Sequence, residues 1–358
     1  MIKILTIIGA RPQIIKAATL SRTIKSTYGS IIEEIVVHTG QHYDENMSGV
    51  FFNQMSIPKP KYNLGFGGLR QSAMTGKMME GLEEICLKEN PDWVLVYGDT
   101  NSTLAGALVA SKLGLKLAHV EAGLRSYNMK MPEEVNRILT DRVSNLLFCP
   151  TKSAVKNLES EGFKNFSNAK IRNVGDIMYE GAIYYSKKSK KPQELNNMCF
   201  GDFVLATIHR AETRDNLDNL KCVIEALNEI NLSNAVIMPI HPKTLSIIKE
   251  NNLKVTFKTI GPVGYLEMLW LIKNCRLVIT DSGGLQKEAY FFEKRCLTAR
   301  TETEWVELIE TGNNTLVAYD VNRILSEFNA SRKFKPLGKI FGEGNTSDLI
   351  IKAILKAS

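Results

Sequence analysis

The sequence has no long apolar run. No window approaches the roughly 18 uninterrupted apolar residues of a membrane-crossing helix, and even the greasy stretch Gly264 to Lys273 carries Glu267. The apolar N-terminus, Met1 to Ile8, is too short for a signal sequence and stops at Gly9-Ala10-Arg11, so it reads as a first buried strand. Paired cysteines are also missing. Cys86, Cys149, Cys199, Cys222, Cys275 and Cys296 are scattered with no C-x-x-C, mostly among apolar neighbours, which argues against a zinc site or a disulfide scaffold and fits a reducing cytoplasm. Internal repeats, low-complexity tracts and heptads are absent, which excludes solenoids and coiled coils. Only the charge points elsewhere. A net +7 invites a nucleic-acid or anionic-membrane reading, but Lys187, Lys188, Lys190 and Lys191 supply four of the seven in one segment that reads as a loop, so neither nucleic acid nor membrane insertion is expected.

What is present is a β/α rhythm. Short β-branched runs at Lys3–Ile8, Ile35–His38, Trp93–Tyr97, Lys116–Val120 and Leu146–Cys149 are each followed by a helix-like stretch, and a second series runs through Val204–Thr207, 235–239, 255–259, Leu277–Thr280 and Arg295–Thr298. That alternation signals parallel sheets covered by helices. About ten strands exceed one doubly wound sheet, and 358 residues suggest about two domains. The expected fold class is therefore α/β, two Rossmann-like doubly wound domains facing a cleft, with ligands outside the carboxyl ends of the strands. The expected division is residues 1–171 plus a C-terminal helix 345–358, and residues 172–344; the Lys-, Asn- and Ser-rich segment 184–198 reads as a surface loop of the second domain.

The chemistry-bearing residues cluster just after strands. Gly9-Ala10-Arg11-Pro12-Gln13 turns the first strand into a helix, with Arg11 and Lys16 placed to hold phosphate oxygens or else merely solvated; it is neither a G-x-G-x-x-G nor a P-loop. Asp99 ends the third clear strand, as a helix cap or a catalytic contact, and Glu121 ends the next. Two carboxylates at one rim can divide acid and base roles. Pro132-Glu133-Glu134 is a good helix start, and Asn136 and Arg137 one turn on can orient Glu134. In the second series His209-Arg210 follows a strand directly, with chemistry suited to a diphosphate or a proton transfer, and His241 repeats the placement one strand later; either histidine could equally pack or cap. Ser282, Gly283 and Gly284 open a helix with bare amides that suit a phosphate, and Glu288 lies further along within reach of ribose hydroxyls. Trp305, after the last strand of this series, fits either a core or a binding role.

In order along the chain, GARPQIIKAATLSR, TGQHYDENMS, YGDTNSTLAGALVASKL, HVEAGLRS, MPEEVNRILTD, NVGDIM, IHRAET, PIHP and DSGGLQKEA resemble the non-hydrolysing UDP-N-acetylglucosamine 2-epimerases, over nearly the whole chain. The resemblance implies a fold like that of GT-B glycosyltransferases, a homodimer, and inversion at C2 of a UDP-linked amino sugar through elimination of UDP to a 2-acetamidoglucal and its re-addition. It implies catalytic roles for Asp99, Glu121, Glu134 and His209. Phosphate would be held by Arg11, Lys16, Ser282 and Gly283, with Arg137, Arg210, His241 and Gly284 among the substrate-binding residues, and ribose by Glu288. No cofactor and no metal are implied. Gln13 stands where the family usually has Glu, Arg210-Ala211-Glu212 where it has Arg-Arg-Glu, and Gln41-His42-Tyr43-Asp44-Glu45-Asn46-Met47 where it has Gln-His-x-x-Met in a segment that forms an allosteric site in some members. TETEWVELIETG, GYLEMLWLI and SYNMKMPEE look closer to the branch acting on UDP-2,3-diacetamido-2,3-dideoxyglucuronate for surface polysaccharide such as O-antigen. UDP-N-acetylglucosamine itself is the alternative substrate, and a GT-B glycosyltransferase or a UDP-sugar sensor are the rival functions.

Overall fold

The computed structural model describes residues 1–41, 55, 57–196, 202–330, 332–336 and 338–358. These form two compact units, one of Met1–Ile183 with Lys339–Ser358 and one of Tyr184–Gly338. The first holds a seven-stranded sheet of β1 (Ile2–Ile8), β2 (Ile32–His38), β3 (Tyr62–Asn63), β4 (Trp93–Tyr97), β5 (Lys116–Val120), β6 (Leu146–Cys149) and β7 (Lys170–Asn173), in the order β3-β2-β1-β4-β5-β6-β7. Every pairing in it is parallel. The second holds β8 (Phe203–Thr207), β9 (Val236–Pro239), β10 (Lys258–Ile260), β11 (Cys275–Thr280), β12 (Arg295–Thr298) and β13 (Asn314–Leu316), ordered β10-β9-β8-β11-β12-β13 and again parallel. Each sheet reverses its winding once, between β1 and β4 and between β8 and β11. The carboxyl end of that switch point is where open α/β sheets receive ligands.

Strands buried on both faces explain the near-continuous apolar runs. Val204 and Ala206 of β8 pack into one core with Leu277 and Ile279 of β11, while Phe203 and Leu205 pack on the opposite face with Val278. In the first unit Leu5, Ile7, Val94 and Val96 share a core with Met78, Leu82 and Ala107. Each fully buried aliphatic side chain contributes about 1.5–3 kcal/mol.

The C-terminal helix Thr346–Ala357 joins the first unit by burying Ile350, Ile351 and Ile354 and by its polar contacts. Ser347 donates to Glu180 from N at 2.8 Å and from Oγ at 2.5 Å, Arg22 reaches the same carboxylate at 3.2 Å, and Tyr28 donates to Asp348 at 2.5 Å. Burial pushes the Glu180 carboxyl up, and the Ser347 bonds and Arg22 oppose that.

The expected surface loop 184–198 is described as far as Asn196, where it is largely exposed but anchored by buried residues, and 197 and 198 lie outside the described residues. It begins inside the helix Ile177–Ser186, Tyr185 is buried with its ring 6.1 Å from that of Tyr265, and Leu195 is buried in a 3-10 turn. Cys86, Cys149, Cys222, Cys275 and Cys296 are free thiols, and burial pushes Cys275 and Cys296 up to about 12. Among the described residues, no helix is long and apolar enough to cross a membrane.

Candidate active site

In the first unit the switch point forces a close approach at Gly9. A Cβ there would stand 2.1 Å from both Ser102 Oγ and Thr39 Oγ1, which bond each other at 2.8 Å, so only glycine fits. Gln13, buried one turn later, accepts from the amides of Gly9 (2.8 Å) and Ala10 (3.0 Å) and donates to Tyr97 O and Thr103 Oγ1, both at 2.9 Å. The last two acceptors need the amide N–H groups, which accounts for Gln over Glu at this position. The helix Arg11–Thr23 is thereby fixed against β1 and β4, with Arg11 part-exposed at its start and Lys16 buried.

Lys16 Nζ pairs with Glu121 Oε1. The pair lies over Gly98, whose φ is +63°, with the lysine nitrogen 3.1 Å and the carboxylate oxygen 3.5 Å from where a Cβ would be. Glu121 itself has φ +76°, a backbone region that non-glycine residues enter only when their surroundings hold them there. Beside it, at the end of β4, Asp99 Oδ2 pairs with Arg137 Nη2, and Arg137 Nη1 pairs with Glu134. Asn136 donates to the Asp99 carbonyl at 2.9 Å. The helix cap falls to Thr100, whose Oγ1 accepts from Thr103 N, which leaves the Asp99 side chain for Arg137.

Glu134 is fully buried, whereas 27% of the Asp99 side chain is exposed. The Glu134 oxygens also accept from Ser126 N (3.0 and 3.1 Å), Ser126 Oγ (2.9 Å) and Tyr127 N (2.8 Å). They are fully engaged, so in this arrangement Glu134 anchors the chain at 126–127 and aims Arg137.

Beneath the rim lies a buried network that sequence reasoning missed. His119 meets Gly98 O and Asp141 Oδ1, each at 2.7 Å, while Asp141 Oδ2 receives Arg125 at 2.7 Å and Gly123 N at 3.1 Å. Arg125 also makes a bidentate pair with Glu161 at 2.6 and 2.8 Å. Burial pushes the Asp141 carboxyl up, but His119 and Arg125 outweigh it and hold the group below its ordinary value. The network supports the Gly98 carbonyl and, through it, the turn carrying Asp99.

The rim of the second unit is built on Asp281, another residue the sequence reading did not assign. It is fully buried after β11, and its Oδ2 accepts from His209 N (3.0 Å) and Arg210 N (2.9 Å), fixing the turn after β8. His209 Nδ1 stands 3.7 Å from Asp281 Oδ1 with the side chain 47% exposed, and Arg210 is 3.9 Å from Glu212. Ser282 Oγ caps the helix Gly283–Phe291 by accepting from Leu285 N at 3.4 Å. The Gly283 and Gly284 amides open that helix, where the macrodipole favours an anion. A Cβ on Gly283 would stand 2.2 Å from Glu304 Oε1, and Glu304 is held by Arg300 at 3.0 Å. Glu288 is buried on the same helix. Trp305 is buried and receives Lys287 at 4.2 Å over its ring, a packed role.

His241 caps the helix Pro242–Glu250, accepting Lys243 N on Nδ1 at 3.2 Å; burial, then Arg214, His209 and Lys243, lower its pKa. Gln41 accepts from Ser102 N (3.0 Å) and Oγ (2.8 Å), tying the end of β2 to the rim, while His42 to Met47 lie outside the described residues. Among the described residues no group of three or more His, Cys, Asp or Glu is arranged to hold a metal ion.

The family model for UDP-N-acetylglucosamine 2-epimerase matches residues 26–355. The chain belongs to that epimerase family. It is 50% identical to the UDP-2,3-diacetamido-2,3-dideoxy-D-glucuronate 2-epimerase of Pseudomonas aeruginosa, over 99% of each chain. It is 41% identical to the UDP-N-acetylglucosamine 2-epimerase of Methanocaldococcus jannaschii, over 98% of each. The crystal structure of the latter with UDP-GlcNAc and UDP superposes with a TM-score of 0.90 over the whole of both chains. The Neisseria meningitidis UDP-GlcNAc 2-epimerase bound to UDP-GlcNAc gives 0.89 at 28% identity, over 99% of this chain and 100% of that one. This epimerase therefore has the GT-B-like fold and is an isomerase by family.

Within the first unit of the epimerase, Arg11, Lys16, Asp99, Glu121, Glu134 and Arg137 all sit at the rim formed by β1, β4 and β5. Within the second, His209, Arg210, Ser282, Gly283 and Gly284 sit at the rim formed by β8 and β11, Glu288 lies further along the helix that leaves it, and His241 stands at the end of β9. Asp281 was signalled by its place directly before Ser282-Gly283-Gly284. His119, the one polar residue within the apolar run of β5, and Asp141, one turn beyond Arg137, carried only a weak signal.

Proposed function

We propose that this epimerase inverts C2 of a UDP-linked 2-acetamido sugar, and that its substrate is UDP-2,3-diacetamido-2,3-dideoxyglucuronate. The observation that carries the reading is the pair of carboxylates at the ends of adjacent strands, Asp99 with Arg137 and Glu121 with Lys16. The C2 hydrogen is not acidic, so removing it requires a placed base while the C1–oxygen bond breaks and its electron pair leaves with UDP. A glycal with a C1–C2 double bond results. A proton then returns to C2 on the opposite face, and a UDP oxygen attacks C1.

In this reading Asp99 and Glu121 are the proton-transferring groups, Glu134 and Arg137 position Asp99, and Arg11 and Lys16 supply positive charge beside the reacting carbons. In the second unit the amides of Gly283 and Gly284, with Ser282 and Arg210, take the diphosphate; His209 assists the leaving oxygen and Glu288 takes the ribose. His241 serves there through the cap that fixes its strand end. Preorganised donors of this kind stabilise a leaving diphosphate without reorganisation at the moment of reaction. The reading also makes the enzyme cytoplasmic and homodimeric, supplying a manno-configured nucleotide sugar for surface polysaccharide such as O-antigen.

Support for the diacetamido acid is the 50% identity to the Pseudomonas aeruginosa enzyme, against 41% to the Methanocaldococcus jannaschii UDP-N-acetylglucosamine 2-epimerase. The test is to incubate the protein with each substrate in D2O and follow the anomeric and H2 signals by NMR. The diacetamido acid should turn over faster, with deuterium entering C2 in the absence of any acceptor. Equal or faster turnover of UDP-N-acetylglucosamine overturns the substrate; no deuterium with either overturns the epimerase reading and leaves a glycosyltransferase or a sensor.

A further inference from the structure

A cavity of about 220 Å³ opens in the second unit at the amino-terminal ends of β11 and β12. At about 3.3 Å per residue, the six-residue strand β11 separates it by roughly 15–20 Å from the rim carrying Asp281 and Ser282. Its lining includes Arg276, Glu293, Arg295, Phe328, Arg332 and Phe334. Three arginines thus stand with one glutamate on the wall and a second, Glu327, behind it.

Arg295 is the centre of the argument. Its side chain is 9% exposed, Nη1 donates to Ala330 O at 3.0 Å, and Nε and Nη2 are buried without a hydrogen-bond acceptor. Glu327 is its ion-pair partner but stops short of a hydrogen bond, and the Glu327 Oε2 is itself buried without one. Its Oε2 stays 3.7 Å from Arg295 Nη2, while Oε1 is taken by Arg332 Nη2 at 2.7 Å. A buried guanidinium with two unmet donors is costly unless something outside the chain meets them. The surrounding field agrees: burial lowers the Arg295 pKa, Glu327 opposes that, and the like charges of Arg332 and Arg276 add to the lowering. The apolar walls are also fixed, since the Arg276 guanidinium lies 5.6 Å over Phe328 and Phe334 packs at 5.3 Å on Tyr290.

We propose that this cavity is a second anion site of the epimerase, taking a phosphate group, free or carried on a small metabolite. A tetrahedral oxyanion accepts from Arg295 Nε and Nη2 together, the fork geometry that guanidinium groups offer to phosphate, while Arg276 and Arg332 close over it. The volume exceeds what a bare phosphate fills, at about 30 Å³ per displaced water, and leaves room for a short ester body against Phe328 and Phe334. Because the site lies at the opposite ends of the strands from Ser282, its ligand is held independently of UDP.

The test is calorimetric titration of the full chain, saturated with UDP, with inorganic phosphate and separately with glycerol 3-phosphate. The variant R276Q/R332Q changes two exposed side chains and is checked for an unchanged melting curve. The expected result is saturable binding of at least one probe to the wild type, with Kd raised tenfold or more in the double variant. A tighter Kd for glycerol 3-phosphate assigns the site to an ester, and an equal or weaker one assigns it to free phosphate. No saturable binding of either probe, or a Kd unchanged by the double substitution, overturns the proposal.

Discussion

Replacing Arg137 by Gln tests whether the rim of the first unit is one electrostatic unit. The guanidinium is 4% exposed and holds two carboxylates at once, Asp99 at 27% exposure and Glu134 at 0%. Removing it leaves Glu134 a buried charge with only neutral donors, Ser126 and Tyr127, and breaking a buried ion pair by removing one partner costs about 3–5 kcal/mol. For a unit of this size each kcal/mol lowers the midpoint by about 2–4 °C, so the first unit should melt about 6–20 °C lower. The companion variant E134Q/R137Q removes the stranded charge and keeps a carbonyl acceptor for Ser126 and Tyr127. It should recover about 1–3 kcal/mol of the loss, a coupling typical of residues in direct contact. Activity should not recover with it, because Asp99 still lacks its partner. Urea unfolding of wild type, both single variants and the double gives the cycle. Additive effects, or a single-variant cost under about 0.5 kcal/mol, would refute the argument that Arg137 balances a buried charge.

Two other substitutions read different layers. Gly9→Ala places a methyl 2.1 Å from Ser102 Oγ and Thr39 Oγ1, so it should destabilise by about 1–3 kcal/mol by overpacking and disturb the start of the helix Asn101–Lys112, measured by chemical denaturation; a neutral effect contradicts the close approach. Asp141 is held below its ordinary pKa in the fold, so its contribution is fully present above about pH 4 and is lost as pH falls from there through the folded value. D141N should therefore flatten acid unfolding of the first unit in that window, and an unchanged acid limb counts against the network.

The central strands were legible because both faces are buried. β1, β4, β5, β6, β8, β11 and β12 announce themselves as apolar runs, and β1, β4, β5, β8 and β11 are each followed at the carboxyl end by a residue of the rim or its support. The strands that escaped are β3, β7 and β13, all at sheet edges. β7 reads Lys-Ile-Arg-Asn with three exposed positions, and β10, at the edge of the second sheet, lies at Lys258–Ile260 rather than 255–259. An edge strand covered on fewer sides needs no apolar run, and charge on it discourages pairing with other chains. The site was legible by the same logic, residue by residue, but the partnerships were not. Nothing in the local pattern says that Thr100 takes the cap and frees Asp99, or that Lys16 reaches Glu121 across 105 positions of sequence.

Those partnerships bear on the proposal that Asp99 and Glu121 each serve one face of C2. Asp99 and Glu121 stand at neighbouring strand ends, each with one cation brought by a different helix, Arg137 from Pro132–Val143 and Lys16 from Arg11–Thr23. Separate cations let two adjacent carboxylates coexist and point them independently, as removal and return of a proton on opposite faces requires. If each serves one face, a variant lacking one base still exchanges the C2 hydrogen of the epimer served by the other, since the glycal forms and is reprotonated from the same side. D99N and E121Q should then each fall about 10²–10⁴-fold in epimerisation. They should also show opposite behaviour in D2O, one exchanging only the gluco epimer and the other only the manno. Mass spectrometry of both epimers incubated with each variant reads this directly. If both variants lose exchange of both epimers equally, the two carboxylates act on charge and orientation, and the proton transfers belong to another group.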